Sequence, residues 1–183
     1  MMKKKILVIF GIGDVFCSES SPRCIRKGKT GPSVVNGIKK LINKNGKDYY
    51  GYLIVNEPLD TFNNVNVVSG IKKSKVIKVK LCSRGIFNVN NQLIVTDHDD
   101  ISEIVLDGDQ LDYILRPEDF EIHVVGIDIN GIFSSFIHDT LKKKYSVTVF
   151  SDMIRAFNKD TITNMINIIK DRKRDVELVF RKS

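Results

Sequence analysis

Apolar and polar positions follow their most regular pattern in residues 121–153. An apolar run near Gly126 predicts a strand buried in a parallel sheet: Ile122, Val124, Val125 and Ile127. Apolar residues then recur at spacings of three and four, as in a helix packed on a sheet: Phe133, Phe136, Ile137 and Leu141. A second strand is predicted over residues 145–150, where Tyr145, Val147, Val149 and Phe150 alternate with Ser146 and Thr148. The three elements predict one right-handed crossover unit.

The rest of the chain continues this alternation of strand and helix. Residues 32–42 present an apolar face at helical spacing, and Asn45-Gly46 is a helix stop signal. Further helices are predicted over residues 111–115 and 158–170. Strands are predicted over residues 6–10, 49–55, 75–81, 88–95, 101–106 (strand or short helix) and 176–180. The pattern predicts one domain over residues 1–183, without repeats or linkers.

Composition limits the classes of protein to which the chain can belong. It has 183 residues, of which 42% are hydrophobic and 28% charged, as in an ordinary globular domain. No apolar run approaches the ~20 residues of a membrane span, and the apolar stretch near the amino terminus is too short for a signal peptide. Three cysteines without metal-ligand spacing favour a reducing compartment. We therefore expect a cytoplasmic protein or a component of a virus particle.

The net charge of +7 comes from lysines and arginines that are clustered along the chain. The clusters occupy residues 3–5, 23–29, 72–80, 142–144 and 170–174. One interpretation is a solvated basic surface, and the other is a surface for an anionic partner such as nucleic acid or an acidic protein. No RNA-binding motif accompanies the clusters, so the sequence favours the first interpretation.

A few residues are candidates for chemistry. Cys17 and Cys82 each follow a strand-like run, and a thiol there acts as a nucleophile only if a neighbouring base activates it. Asp14 follows the first strand, where it serves as a carboxylate of a site or as a turn residue. The acidic turn at residues 97–100, which includes His98, is more typical of a solvated loop than of a metal site. His123 lies in an apolar strand, which predicts a hydrogen-bonded core histidine.

Three segments resemble the isochorismatase-like cysteine hydrolases, a family that includes the nicotinamidases. Residues 6–17, ILVIFGIGDVFC, are similar to the family's first strand and its Asp-x-Gln-Asn-Asp-Phe motif. Residues 81–85, LCSRG, resemble its His-Cys-x-x-Gly-Thr segment. Residues 124–127 with Asp139 and residues 145–152 resemble its signature stretch, in which a cysteine opens a helix after a strand that ends in glycine. The resemblance implies a three-layer α/β/α fold whose mostly parallel sheet has the strand order 3-2-1-4-5-6.

The same resemblance shows where this sequence departs from the family. The family's catalytic aspartate falls at Phe10, and its nucleophilic cysteine falls at Ile132, six residues after Gly126. Residues 101–113 contain no lysine for the third catalytic role, and residues 56–62 lack the metal-binding histidines of nicotinamidases. Neither isoleucine nor phenylalanine can attack a carbonyl or transfer a proton. The sequence therefore predicts that the family's chemistry, metal and cofactors are absent.

These observations predict a non-catalytic structural or interaction subunit that assembles with itself or with other protein subunits. One alternative is a divergent cysteine hydrolase with a relocated nucleophile, Cys17 or Cys82, acting with Asp14. Another is a protein that binds nucleic acid or an acidic partner through the basic clusters. A further alternative is a pocket, floored by Phe10 and Ile132, that holds a small ligand without reacting.

Overall fold

The computed structural model describes residues 2–26, 30–56, 76–81, 92–96, 103–107, 116–128, 137, 140–141, 144–156 and 178–181. Its helices and strands, in chain order, are β1 (Lys4–Phe10), α1 (Asp14–Cys17), α2 (Gly31–Asn45), a 3-10 turn (Gly46–Asp48), β2 (Tyr49–Asn56), β3 (Val76–Leu81), β4 (Gln92–Thr96), β5 (Glu103–Asp107), β6 (Phe120–Asp128), β7 (Ser146–Ala156) and β8 (Leu178–Arg181).

The described strands form one eight-stranded sheet in the order β5-β4-β3-β2-β1-β6-β7-β8. The strands from β3 to β8 in this order are parallel, and β4 and β5 add an antiparallel pair beyond β3. Without that pair, the parallel strands follow the order 3-2-1-4-5-6 that the resemblance implies. The predicted α/β class with a mostly parallel sheet is confirmed.

Both faces of the central strands are covered. Successive residues of a strand point to opposite faces, yet every residue from Ile6 to Phe10 in β1 is buried. On one face Leu7 and Ile9 pack with Ile38 of α2 and its apolar neighbours. A fully buried aliphatic side chain of this kind contributes about 1.5–3 kcal/mol. Burial on both faces is the reason why β1 is a continuous apolar run in the sequence.

Local sequence signals define α2. Thr30 is its N-cap, and the Thr30 side chain accepts a hydrogen bond of 3.2 Å from the Ser33 amide. Pro32 lies in the first turn, where its missing N–H costs nothing, and Gly46 follows the last residue. The helix therefore begins and ends close to the residues that the sequence predicts.

Several other predictions can be compared with the described residues. The predicted strands at 75–81, 88–95, 101–106 and 176–180 are present as β3, β4, β5 and β8, with shifted bounds. Residues 137, 140 and 141 are helical, as predicted from the spacing of Phe133, Phe136, Ile137 and Leu141, and Lys144 after them lies in a turn with φ +68°. The other residues of this predicted helix lie outside the described residues, as do the helices predicted at 111–115 and 158–170. Within the described part of the chain, no helix combines the length and the apolar character that crossing a membrane requires.

Candidate functional site

The carboxyl ends of β1 and β6 meet at Phe10 and Gly126, which are paired in the sheet. Gly126 has φ +116°, and a Cβ atom added to it would lie 2.1 Å from the Phe10 carbonyl oxygen. Only glycine fits this backbone conformation and this close approach. Gly11, with φ +57°, then turns the chain away from β1, and its amide donates a hydrogen bond of 2.9 Å to the Val55 carbonyl. In parallel sheets this edge is where ligands bind.

Phe10 lies at this edge of the sheet, at the position where the resemblance implies the catalytic aspartate of the family. The residue is 2% exposed, and Ile127 at the end of β6 is 1% exposed. A phenyl ring packs well in such a position, but it cannot take up or release a proton. The carboxyl ends of β1 and β6 therefore contribute core packing among the described residues. Ile132, the other degenerate position, lies outside the described residues.

Asp14 and Cys17 occupy the single turn of α1, at the same edge of the sheet. Asp14 is half-buried, and Cys17 is 6% exposed. The Cys17 thiol donates a hydrogen bond of 3.6 Å to the Gly11 carbonyl oxygen. A carbonyl oxygen is not a base that could take up the thiol proton, so this contact does not activate the sulfur. Two candidates for a relocated catalytic site, Asp14 and Cys17, thus lie in the same helical turn, but the Cys17 thiol is buried.

The segment after α1 is held in place by hydrogen bonds to α1. The Ser21 hydroxyl donates to the Val15 carbonyl at 2.7 Å, and the Ile25 amide donates to the Phe16 carbonyl at 3.1 Å. The Arg26 guanidinium donates to two backbone carbonyls of the same loop at 2.9 and 3.0 Å. Cys24, in this loop, is also buried. The segment is therefore fixed against the turn that carries Cys17.

Arg155 is a cation at the carboxyl edge that the apolar pattern of the sequence does not predict. The predicted strand ends at Phe150, but β7 continues to Ala156, so Arg155 pairs with Ile127 at the end of β6. The Arg155 side chain is partly buried, including its Nε atom. The register between β6 and β7 shifts beside Gly126, which explains why Ser151 and Asp152 are exposed and why the alternation breaks after Phe150. No pattern in the sequence marks such a shift.

The remaining candidates for chemistry are not described by the structure. Cys82 comes directly after β3 in the sequence, and it lies outside the described residues together with the acidic turn at 97–100. Among the residues that are described, no group of three or more histidine, cysteine, aspartate or glutamate side chains is suited to hold a metal ion.

His123 is a hydrogen-bonded core histidine, as predicted. It is 4% exposed; its Nδ1 lies 3.0 Å from the Tyr49 hydroxyl and its Nε2 lies 2.8 Å from Glu121 Oε1. The Thr148 hydroxyl donates to the same Glu121 oxygen at 3.0 Å. Burial on its own raises the pKa of Glu121, but the hydrogen bonds from His123 and Thr148 and the charge of Lys5 outweigh it and lower that pKa.

The phenols beside His123 stay protonated. Burial, followed by the neighbouring Tyr52 and the carboxylates of Glu121 and Asp48, raises the pKa of Tyr49. Burial, with a smaller contribution from Asp48, raises the pKa of Tyr52 to about 12. These hydrogen bonds connect Tyr49 of β2, Glu121 and His123 of β6 and Thr148 of β7, so the group holds the three strands together at their amino ends.

Solved structures with the same fold include several hydrolases. No family model matches the sequence, and no curated protein is significantly similar to it.

A nicotinamidase from Staphylococcus aureus is 14% identical to this chain and superposes on it with a TM-score of 0.64. The match covers 97% of this chain and 99% of the nicotinamidase. An N-carbamoylsarcosine amidase from Thermoplasma acidophilum is 14% identical, with coverages of 98% and 96% and a TM-score of 0.61. An isochorismatase-like hydrolase from Alkaliphilus metalliredigens is 12% identical, with coverages of 98% and 95% and a TM-score of 0.61. Identities this low establish a common fold and leave the chemistry open.

Proposed function

We propose that this chain, which has the isochorismatase-like fold, performs no hydrolysis and serves as an interaction subunit. The observation that carries the proposal is Phe10, a buried phenylalanine at the end of β1 where the resemblance expects the catalytic aspartate. A second departure supports it, because residues 128–136 contain no cysteine and Ile132 stands at the family's nucleophile position. Acyl transfer by this chemistry needs both a thiolate and an acid/base group.

The state of Cys17 argues against the nearest alternative, a hydrolase with a relocated nucleophile. The thiol is buried and donates to the Gly11 carbonyl, whereas reactive cysteines are partly exposed. Cys82 remains the candidate nucleophile whose surroundings are not described. The proposed role therefore depends on a direct test of both thiols.

The test measures ammonia release from nicotinamide and from N-carbamoylsarcosine, the amides named in two proteins of this fold. We expect no release above that of heat-denatured protein, while a nicotinamidase run in parallel gives a clear signal. Release that iodoacetamide abolishes would contradict the proposal. The variants Cys17→Ala and Cys82→Ala then identify the nucleophile, with Cys24→Ala as the matched control because Cys24 is also buried and is not a candidate.

The interaction role requires a partner, and we propose a further copy of this chain or another protein subunit. Light scattering after gel filtration measures the oligomeric state, and purification from the native source identifies bound proteins. We expect a dimer or larger assembly, or a protein recovered in stoichiometric amount. A chain that stays monomeric at tens of micromolar and recovers no protein contradicts the interaction role.

A further inference from the structure

Basic residues from separate segments of the chain lie at the amino edge of the sheet, where the parallel strands begin. This edge is opposite the site described above. Parallel strands begin at the same edge, and α2 ends there because it runs back between β1 and β2. This placement brings together Lys3 and Lys4 of the first strand region, Lys44 and Lys47 before β2, Arg116 before β6 and Lys144 before β7. Neighbouring strands lie ~4.8 Å apart, so the edge from β2 to β7 is about 15 Å wide. We call these residues, with Tyr50, the amino-edge surface.

Acidic side chains at this edge already face cations. Arg116 forms ion pairs with Asp119 at 2.6 Å and with Glu118 at 3.9 Å. Glu121 accepts hydrogen bonds from His123 and Thr148 and interacts with Lys5. One arginine is shared by two carboxylates, so Arg116 adds no net positive charge. The described residues of this edge still comprise seven cations (Lys3, Lys4, Lys5, Lys44, Lys47, Arg116 and Lys144) and four acids (Asp48, Glu118, Asp119 and Glu121), which leaves a net charge of +3. A cation in the last turn of a helix also offsets the helix dipole, which accounts for Lys44 but not for the lysines before β1 and β7.

Tyr50 is an exposed aromatic ring at the same edge, in contact with one of these cations. The register of β1 with β2 shifts between Lys5 and Ile6, so Tyr50 is an extra residue in β2 and its side chain leaves the core while Tyr49 and Tyr52 stay buried. Tyr50 is 54% exposed. The Lys4 ammonium lies 4.6 Å from the centroid of its ring, and the Phe120 ring lies 5.6 Å away at 62°. The exposed ring therefore contacts both a cation and a second aromatic ring.

We propose that the amino-edge surface binds single-stranded nucleic acid, with Tyr50 stacking on a base and the lysines facing phosphates. An exposed aromatic ring among cations is the combination that binds single strands without sequence preference. An acidic polypeptide could pair with the lysines, but it has no base to stack on Tyr50. The exposed Tyr50 ring therefore favours nucleic acid over an acidic polypeptide as the ligand. This surface goes beyond the proposed function, since binding here is independent of hydrolysis at the other edge.

Fluorescence anisotropy with a labelled oligothymidylate of twenty nucleotides, measured over a range of salt concentrations, tests the proposal. We expect affinity that falls steeply with salt. Tyr50→Ala should weaken binding about tenfold, the effect of stacking on one base, while Tyr50→Phe should bind like the natural protein. Lys47→Glu should weaken binding and flatten the salt dependence. Thermal melting of each variant confirms that it is folded.

Arg23→Glu is the matched control, because it makes the same change of charge in the exposed loop at the carboxyl edge. It should bind within about twofold of the natural protein. The proposal is overturned if no binding is detected at low salt, or if Arg23→Glu and Lys47→Glu weaken binding equally. A third result also overturns it: Tyr50→Ala binds normally, and polyglutamate competes with the labelled oligonucleotide as effectively as unlabelled oligothymidylate. The surface would then be a binding site for acidic polypeptides. The ammonia-release assay decides separately whether the chain is a hydrolase.

Discussion

Gly126 is required by the approach of two strands and not by any turn in the sequence. Its φ of +116° is a conformation that side chains rarely adopt, and the Phe10 carbonyl occupies the place of a Cβ atom. Gly37, in the middle of α2, has no such requirement, because a Cβ atom there meets only Met153 Cγ at 3.5 Å. The two glycines therefore respond in opposite ways to the same substitution.

Gly126→Ala should lower the free energy of unfolding by at least about 2 kcal/mol, because the added Cβ atom combines backbone strain with overlap. Gly37→Ala should raise the free energy of unfolding by about 0.5–1 kcal/mol, since alanine has the higher helix propensity. Urea denaturation followed by circular dichroism measures both values. Equal effects of the two substitutions would contradict the role assigned to Gly126.

Glu121 makes the stability depend on pH in the acid range. Its pKa is lower in the folded protein than in the unfolded chain, so its carboxylate contributes stability above the unfolded pKa, about 4.3. That contribution is lost as the pH falls through the lower, folded pKa. Glu121→Gln should therefore reduce stability near pH 7 and flatten its decline below pH 4.5. Melting temperatures between pH 3 and pH 7 measure the effect, and a parallel shift at every pH would contradict it.

At the scale of the element, α2 shows how few residues define a helix. Thr30 accepts the hydrogen bond of the Ser33 amide, and the apolar face from Val34 to Ile42 packs on the sheet. Both signals are local in the sequence, so the prediction of this helix was close to the observed bounds.

Thr30→Ala should lower the free energy of unfolding by about 1 kcal/mol, because the Ser33 amide at the helix start loses its side-chain acceptor. Thr30→Ser keeps a hydroxyl at the same place and should remain within a few tenths of a kcal/mol of the natural protein. Chemical denaturation of the two variants provides the comparison. A serine variant as unstable as the alanine variant would show that packing by the threonine methyl group, and not capping, stabilises this end.

The strands β2 and β7 do not follow a simple alternation of buried and exposed residues, because each shifts its register against a neighbouring strand. Tyr50 is an extra residue against β1, and β7 shifts its register against β6 between Phe150 and Ile154. Each shift changes which residues face the core, so Tyr50 becomes exposed and Arg155 reaches the carboxyl edge. A strand's own alternation does not contain this information, because register depends on the partner strand.

At the scale of the whole molecule, the carboxyl and amino ends of the parallel strands form two edges of the sheet that carry different residues. The carboxyl edge carries Phe10, Asp14, Cys17 and Arg155, while the amino edge carries the lysines and Tyr50. The length of the strands separates the two edges, so the proposed loss of hydrolysis at one and the proposed binding at the other are independent properties. Clusters of basic residues that are distant in the sequence become neighbours only because every parallel strand starts at the same edge.

By itself the sequence determined the α/β class, the bounds of α2, the buried β1 and β6, and the residues that stand where the resemblance expects catalytic groups, Phe10 and Ile132. Those properties depend on local periodicity, on capping residues and on residue identity, all of which are present in a single segment. The tertiary structure alone decided the close approach of Gly126 to Phe10, the burial of Cys17, the exposure of Tyr50 and the placement of Arg155. Each of these depends on contacts between segments far apart in the chain, and a contact of that kind leaves no periodic signal in either segment.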